Sequence, residues 1–242
     1  MQLLVGLVLV VLAATAAAVW GYRRDAQRRQ LLMQFCAANR WRYCADDPSL
    51  TVRWHGTPFG EGDHRRARNV LVGNDRGGPF VAFEYSFVTG GEQGRWGGRR
   101  TTHRYAVCAL GLPVPLPRLQ VEPEGLLRRA GQAVGLGVGV QLESEDFNRR
   151  FTVSARQPKF ASDVLGPRTL QALLAAPPTA WRIEGADLVS WHEGQLTPVD
   201  VLAHLSTLSR VVEGIPSFVW HDNGYDPPEG QPSVPPSEGS VL

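Results

Sequence analysis

The longest apolar run in the chain lies at its amino terminus. Residues 3–20 carry no charge, and only Gly6 and Thr15 fall outside the strongly apolar or alanine set. As a helix this run would measure roughly 27 Å, close to the ~30 Å hydrocarbon core of a bilayer. The pattern therefore predicts a single transmembrane helix within residues 1–22, retained as a signal anchor.

The residues after this run predict how the anchor is oriented. Two aromatic rings come where the chain would meet lipid headgroups, and four arginines follow closely. This membrane-anchor flank comprises Trp20, Tyr22, Arg23, Arg24, Arg28 and Arg29. Arginine-rich flanks stay on the cytoplasmic side and are attracted to anionic lipids. We therefore expect a basic juxtamembrane helix over residues 23–42, and a cytoplasmic domain held at the bacterial inner (plasma) membrane.

An exported protein is the alternative interpretation of the same segment. Residues 14–16 and 16–18 are small, as at the sites where secretory signals are cleaved. The apolar run, however, lacks a basic segment before it and carries arginines directly after it. These two features favour the uncleaved anchor.

Apolar positions recur with a period of two between residues 50 and 122. Residues 81–87 alternate large apolar with smaller or polar side chains, which is typical of a half-buried antiparallel strand. The prolines of residues 111–117 cannot donate ladder hydrogen bonds, so we expect them to end this series of strands. The other strands expected here are residues 50–55, 67–73 and 102–110.

The second half of the chain mixes helical and strand periods. The elements expected there are a short helix over residues 125–134, a strand over 147–155, a helix from Pro167, and a hairpin of residues 181–183 and 188–192. A last helix is expected between the N-cap Thr197 and Gly214, with an apolar stripe at Leu202, Leu205, Leu208 and Val212.

These patterns together predict an α+β protein. After the transmembrane helix, residues 43–221 are expected to form a mainly antiparallel β-sheet domain with packed helices, and a division into two subdomains near residue 125 is left open. Residues 222–242 are rich in proline, glycine, serine and acid. We expect this segment to be a disordered C-terminal tail.

Composition then narrows the function. The 25 basic and 23 acidic residues leave a net charge of +2, so nucleic acid is not expected as a partner. The three cysteines are widely spaced and include no Cys-x-x-Cys pair, which excludes a disulfide scaffold. The glycine-rich residues 135–140 end in valine where a dinucleotide fingerprint needs glycine or alanine, and His192 lacks a second histidine four residues later. We expect no cofactor and no metal.

The enzyme hypothesis rests on a few titratable side chains. His103 would act as a general base or a ligand beside Cys108 or Glu84. The carboxylates of the run from Glu143 through Glu145 to Asp146 would divide acid and base roles. Against this, a cysteine in an apolar strand is usually a small buried hydrophobe. Acidic clusters of this kind are also more often solvated or paired with arginine.

Three stretches resemble a group of membrane-anchored actinobacterial proteins of unknown function. They are residues 53–60 (RWHGTPFG), 101–105 (TTHRY) and 143–151 (ESEDFNRRF). The likeness covers roughly residues 1–221. It implies a bacterial protein with a single membrane span, and it carries over no functional residues.

The sequence thus favours a membrane-tethered cytoplasmic interaction or regulatory domain without evident catalysis, whose partners are the lipid bilayer and a protein of unknown identity. Two alternatives stay open. One is a membrane-bound hydrolase or transferase with the site around His103, Cys108 and residues 143–146. The other is a module that binds anionic lipid, which rests on fold analogy alone. The sequence specifies neither ligand, biological process nor oligomeric state.

Overall fold

A computed structural model describes the backbone in four stretches. These are residues 2–75, 78–90, 100–124 and 138–226, and side chains are described for all of them except residues 2–11, 13, 14, 18 and 138. The short helix expected over residues 125–134, and the tail from residue 227 onward, lie outside the described residues.

The described elements are six helices and the strands of one antiparallel sheet. In chain order they are α1 (Gln2–Asn39), β1 (Arg42–Asp46), a 3₁₀ turn (Pro48–Thr51), β2 (Asp63–Asp75), β3 (Gly78–Thr89), β4 (Thr101–Pro123), β5 (Val138–Val140), α2 (Glu145–Arg150), β6 (Phe151–Ala155), α3 (Pro158–Val164), α4 (Pro167–Ala175), β7 (Ala180–Glu193), α5 (Pro198–Gly214) and α6 (Ser217–Asp222). The α+β class expected from the sequence is confirmed.

The sheet is organised around β4. The strand order is β1-β2-β3-β4-β6-β5, and β7 also pairs with β4. The first half of β4 pairs with β3 and its second half with β6, whereas β7 runs along both halves. One sheet therefore contains strands from before and after residue 125.

Helix α1 runs without a break from the apolar amino-terminal segment into the domain. Its last turns bury Leu32 and Cys36 against the sheet, among residues of β2, β3 and β4. Among the side chains that the structure describes, no helix carries an apolar stretch long enough to cross a bilayer. Most of the predicted anchor, residues 3–20, lies outside that set of side chains.

The proline-rich segment does not end the strands as expected. Strand β4 continues through residues 111–117, where its ladder with β7 is interrupted between Gly111 and Leu116 and again before Leu119. On its other side, pairing with β3 ends at Leu110 and pairing with β6 begins at Leu119. Proline removes a hydrogen-bond donor but its fixed φ remains compatible with extended backbone. The expected hairpin of residues 181–192 is likewise wrong, because both parts pair with the same strand and form one continuous β7.

Two expected strands contain short helical segments instead. Residues 48–51 form the 3₁₀ turn, which Asp47 caps by accepting a hydrogen bond from the Ser49 amide. Residues 145–150 form α2, where Ser144 is the N-cap and accepts from the Phe147 amide. Acidic residues in the first turn of α2 and arginines in its last turn complement the helix dipole.

Strand β3 is covered on both faces rather than half-buried. Phe83 and Tyr85 face one hydrophobic cluster, as the alternation predicts, but Ala82 and Glu84 on the other face are also buried. The reason is α1, which packs across that face. Periodicity in the strand alone does not reveal a helix from a distant part of the chain.

The last long helix confirms the sequence signals at its ends. Thr197 and Asp200 form a reciprocal capping box at the start of α5, which ends at Gly214. The expected inward stripe is wrong at one position, because Leu202 is exposed and Val201 is buried in its place.

Glycine at position 73 is required by a neighbouring indole. A Cβ on Gly73 of β2 would overlap the Trp41 ring, which packs edge-on against Phe35 and Phe80. We expect Gly73→Ala to lower the free energy of unfolding by about 1–3 kcal/mol, a typical cost of overpacking. Urea denaturation followed by tryptophan fluorescence measures the change. The matched control is Gly139→Ala in β5, where an added Cβ meets nothing within 4 Å; equal stability losses in both variants would contradict the assignment.

Candidate functional site

The residues of the enzyme hypothesis do not converge. His103 stacks on Phe87 with ring centroids 4.9 Å apart, and its Nε2 lies 2.8 Å from the Thr89 hydroxyl. Cys108 stands five residues later on β4, and since side chains alternate along a strand it faces the opposite side of the sheet. It is fully buried, and burial raises the pKa of its thiol well above the ordinary value. A thiolate is therefore disfavoured there.

The acidic run is held by a local arginine. Arg149 lies 3.6 Å from Glu145 and 3.1 Å from Asp146, and all three side chains are exposed on α2. Glu143 is exposed in the loop before this helix. Helix α2 packs on β6, which pairs with the end of β4 opposite to His103. In the part of the chain that the structure describes, no three His, Cys, Asp or Glu side chains are grouped to hold a metal.

A hydrogen-bonded chain of polar side chains joins β7 to α5. Ser190 Oγ donates to the Cys108 carbonyl at 3.2 Å and lies 2.7 Å from His204 Nδ1. His204 Nε2 lies 2.8 Å from His192 Nδ1, and His192 Nε2 lies 3.6 Å from an Asp200 carboxylate oxygen. No sequence pattern predicts this grouping, because twelve residues separate the two histidines and only packing brings them together.

The residue types of this chain resemble those of a hydrolase, but its geometry differs. Ser190 is fully buried between sheet and helix and donates its proton to a backbone carbonyl, so substrate cannot reach it. Burial, together with the neighbouring His192, lowers the pKa of His204 to about 4. The neutral imidazole thus completes the contact between α5 and the sheet.

The stretch of residues 53–60 covers the second face of the sheet. Arg53 forms a bidentate pair with Asp187, with both distances 2.9 Å. Beneath this loop the Arg182 guanidinium is fully buried, 3.0 Å from Glu184 and 5.1 Å from the centroid of the Trp191 ring. Burial lowers the pKa of Arg182 to about 10. This stretch therefore has a structural role.

The strongest candidate for binding is a cleft of about 540 Å³ between α1 and the sheet. We call it the arginine cleft. Helix α1 forms one wall, and β1, β2, β3 and β4 form the rest. Its ionisable lining residues are Asp25, Arg28, Arg29, Asp46, His64, Arg66, Arg68, Glu84 and Arg104, and its other polar ones include Asn69, Ser86 and Thr102.

Two irregularities in β2 build the floor of the cleft. The pairing with β3 gains one extra residue between Asp63 and Arg66 and another between Arg68 and Leu71, and His64 and Asn69 adopt positive φ there. Each extra residue reverses the alternation of side chains. Arg68 can therefore share a face with Leu71, which packs in the same cluster as α1. A simple period of two does not predict this.

Cross-strand pairing aligns the polar side chains of the cleft. Arg66 stands opposite Ser86, which in turn stands opposite Arg104. In the next row Arg68 stands opposite Glu84. Side chains directly opposite one another lie about 5 Å apart at Cβ, so these rows form one continuous polar surface beside α1.

One acidic residue of the cleft is neutralised within the fold. Arg28 of α1 donates to Glu84 of β3 at 2.6 Å, and the side chains of the pair are only 15% and 8% exposed. The side chains of four further arginines make no hydrogen bond or ion pair with any residue that the structure describes. These are Arg29, Arg66, Arg68 and Arg104, and all four are exposed.

The residues of the membrane-anchor flank separate into two groups. Trp20 and Tyr22 are 66% and 78% exposed, and Arg24 lies over the Trp20 ring at 5.5 Å. Arg23 is also exposed. Arg28, by contrast, holds α1 against the domain, and Arg29 lines the cleft. The sequence alone places all four arginines in one membrane-anchor flank, because nothing in it indicates the contact of Arg28 with Glu84.

The architecture defines an α+β domain with one antiparallel sheet packed on a long amino-terminal helix. A solved structure of this fold is the crystal structure of the mycobacterial trehalose monomycolate transport factor A, TtfA, with 15% identity and a TM-score of 0.56. The match covers 78% of this chain and 96% of that one, and at this identity it shows the fold alone. No protein-family model and no curated protein matches the chain.

The buried histidine should make stability depend on pH. An unfolded histidine titrates near pH 6.5, whereas His204 in the folded chain titrates near pH 4. Its contribution, on the order of 3 kcal/mol, is present above pH 6.5 and is lost as pH falls toward 4. Urea unfolding between pH 4 and 7 should show this slope in the wild type and in His55→Gln, an exposed control, and a weaker slope in His204→Gln. Equal slopes in all three proteins would contradict the expectation.

Proposed function

We propose that this chain is a non-catalytic accessory factor, tethered by α1 to the bacterial plasma membrane, whose cytoplasmic domain acts through contacts with other components of the cell envelope. We expect it to assist the movement of envelope lipids rather than to convert them chemically. Retention at the membrane, orientation and partners all belong to this proposal.

The observation that carries the proposal is the continuity of α1. A helix of 38 residues begins in the apolar amino-terminal sequence and ends with Leu32 and Cys36 buried in the domain core. Leu12 and Val19, the apolar side chains described toward its amino-terminal end, are both more than half exposed. The exposure of these two described side chains supports a role for α1 as a tether, since burial in lipid would cover them.

The separation of reactive groups supports a role without catalysis. Within the described residues, His103, Cys108 and Glu145 lie on different faces or ends of the sheet, and Ser190 is inaccessible. An active site needs titratable groups that converge in a pocket open to substrate. The arginine cleft is open, but the charged side chains that line it are mostly arginines.

The fold similarity to a transport factor favours the accessory role over other non-catalytic roles. TtfA is described as a factor in trehalose monomycolate transport. The structural match covers nearly the entire length of TtfA, so the two molecules share one architecture. This supports, at the level of fold, an auxiliary part in moving lipids through the envelope.

An exposed apolar pair on α5 suits a protein partner. Val199 and Leu202 are 74% and 52% exposed, and their spacing of three residues puts them on one side of the helix. Apolar side chains clustered on an ordered helix are common at protein interfaces. This pair is where we expect the domain to contact another protein.

Deletion and complementation in the native bacterium test the proposal. Loss of the gene should change the envelope lipids seen by thin-layer chromatography after labelling with radioactive acetate. The full chain should restore the profile and resist carbonate extraction from membranes. A chain lacking residues 2–22 should be extracted and should not restore it.

The matched control replaces residues 3–20 with an unrelated transmembrane helix of equal length. This variant should restore the lipid profile, because the tether acts by holding the domain. An unchanged profile in the deletion strain, or a mature protein that starts near residue 17, would overturn the proposal.

A further inference from the structure

We infer that the arginine cleft is a binding site for a phosphate group, carried by an anionic lipid headgroup or free in solution. The site deepens the proposed function, and its position at the bilayer rests on it. The inference itself rests on the charges, geometry and position of the cleft.

The charges leave the cleft cationic. Five arginines line it against three carboxylates, and the Arg28 pair uses the buried carboxylate of Glu84. Asp25 lies 3.7 Å from the same arginine, at the edge of the cleft. Asp46 remains as the other acidic residue of the lining. The four arginines without a partner among the described residues therefore face a cleft with too few anions to balance them.

The donor groups match the chemistry of phosphate. A guanidinium presents a planar fork of N–H groups that binds two phosphate oxygens at once. Arg66 and Arg104 stand on either side of Ser86 across neighbouring strands, so their forks and the Ser86 hydroxyl border one space. Strand backbone holds these positions, which reduces the cost of assembling the site on binding. The volume of about 540 Å³ is in the range of small-ligand sites.

The cleft lies at the membrane-proximal end of the contact between α1 and the sheet. Arg28 follows Tyr22 by six residues, which is about 9 Å along a helix. The apolar contacts of Leu32 and Cys36 lie farther from the proposed span. If Tyr22 stands at the headgroup level, lipid phosphates are within reach of the cleft.

Two register shifts in β2 place arginines of this strand in the cleft. Both extra residues of β2 flank Arg66 and Arg68, and one of them is Asn69, whose side chain accepts from the Tyr43 hydroxyl at 2.8 Å. The irregular strand thus places two exposed arginines in the cleft beside α1. A ligand with negative charge gives this arrangement a reason.

The test uses the full chain in neutral detergent and phosphate-free buffer. Native mass spectrometry measures binding of dioleoyl phosphatidylglycerol against dioleoyl phosphatidylcholine, and calorimetry measures binding of inorganic phosphate. The cleft variant is Arg66→Gln with Arg104→Gln. The control variant, Arg156→Gln with Arg168→Gln, removes the same charge from exposed positions outside the cleft.

We expect the wild type and the control variant to bind equally, and the cleft variant to bind about tenfold more weakly or worse, since charge-assisted hydrogen bonds are lost. Replacing both residues by lysine should restore part of the affinity. Weaker binding of phosphatidylglycerol alone assigns the site to lipid. Weaker binding of inorganic phosphate, without preference between the two lipids, assigns it to a soluble anion.

Equal affinities of the cleft and control variants, or no binding of either probe by the wild type, would overturn the inference. Circular dichroism of each variant verifies folding, which these exposed positions should not disturb. The outcome is separate from that of the proposed function. If carbonate removed the full chain from membranes, the tether would be refuted. The binding measurements in detergent would still test the cleft.

Discussion

The packing of α1 against the sheet is the constraint on which the other features depend. It buries Leu32 and Cys36, and burial of one leucine alone contributes about 2–3 kcal/mol. The same contact buries the Arg28–Glu84 pair, which must form because a lone carboxylate there would lose its hydration without compensation. Without the helix, one face of β3 would be exposed and the arginine cleft would lack a wall. Core, cleft and any tether thus share a single interface.

Sequence patterns predict the elements where the local signals are sufficient. The N-cap Thr197, the alternation in β3 and the juxtamembrane helix expected over residues 23–42 all correspond to observed elements. Where a distant segment decides the environment, the patterns fail. The strand pattern alone predicts that Glu84 is solvated, whereas in the structure α1 covers it. The prolines of residues 111–117 predict the end of a strand, whereas in the structure β7 pairs with β4 both before and after them in the chain.

The candidate site was less predictable than the fold for a related reason. The arginines that line the cleft come from α1, β2 and β4, and the irregular register of β2 determines which of them share a face. Nothing in local composition marks such an irregularity, although Asn69 is a residue type that tolerates positive φ. The grouping of His192 and His204 depends in the same way on how α5 lies across β7. Local signals specify elements, whereas sites arise from their register and docking.

Because α1 is unbroken, it also fixes the rotation of the domain relative to the amino-terminal part of the helix. Each residue of an α-helix advances the chain 1.5 Å and turns it about 100°. The number of residues between Tyr22 and Arg28 therefore fixes which side of the domain faces a given side of the amino-terminal segment. One inserted residue would swing the cleft by more than a quarter turn without altering its chemistry. The number of helical residues before the domain therefore determines the direction in which the cleft faces.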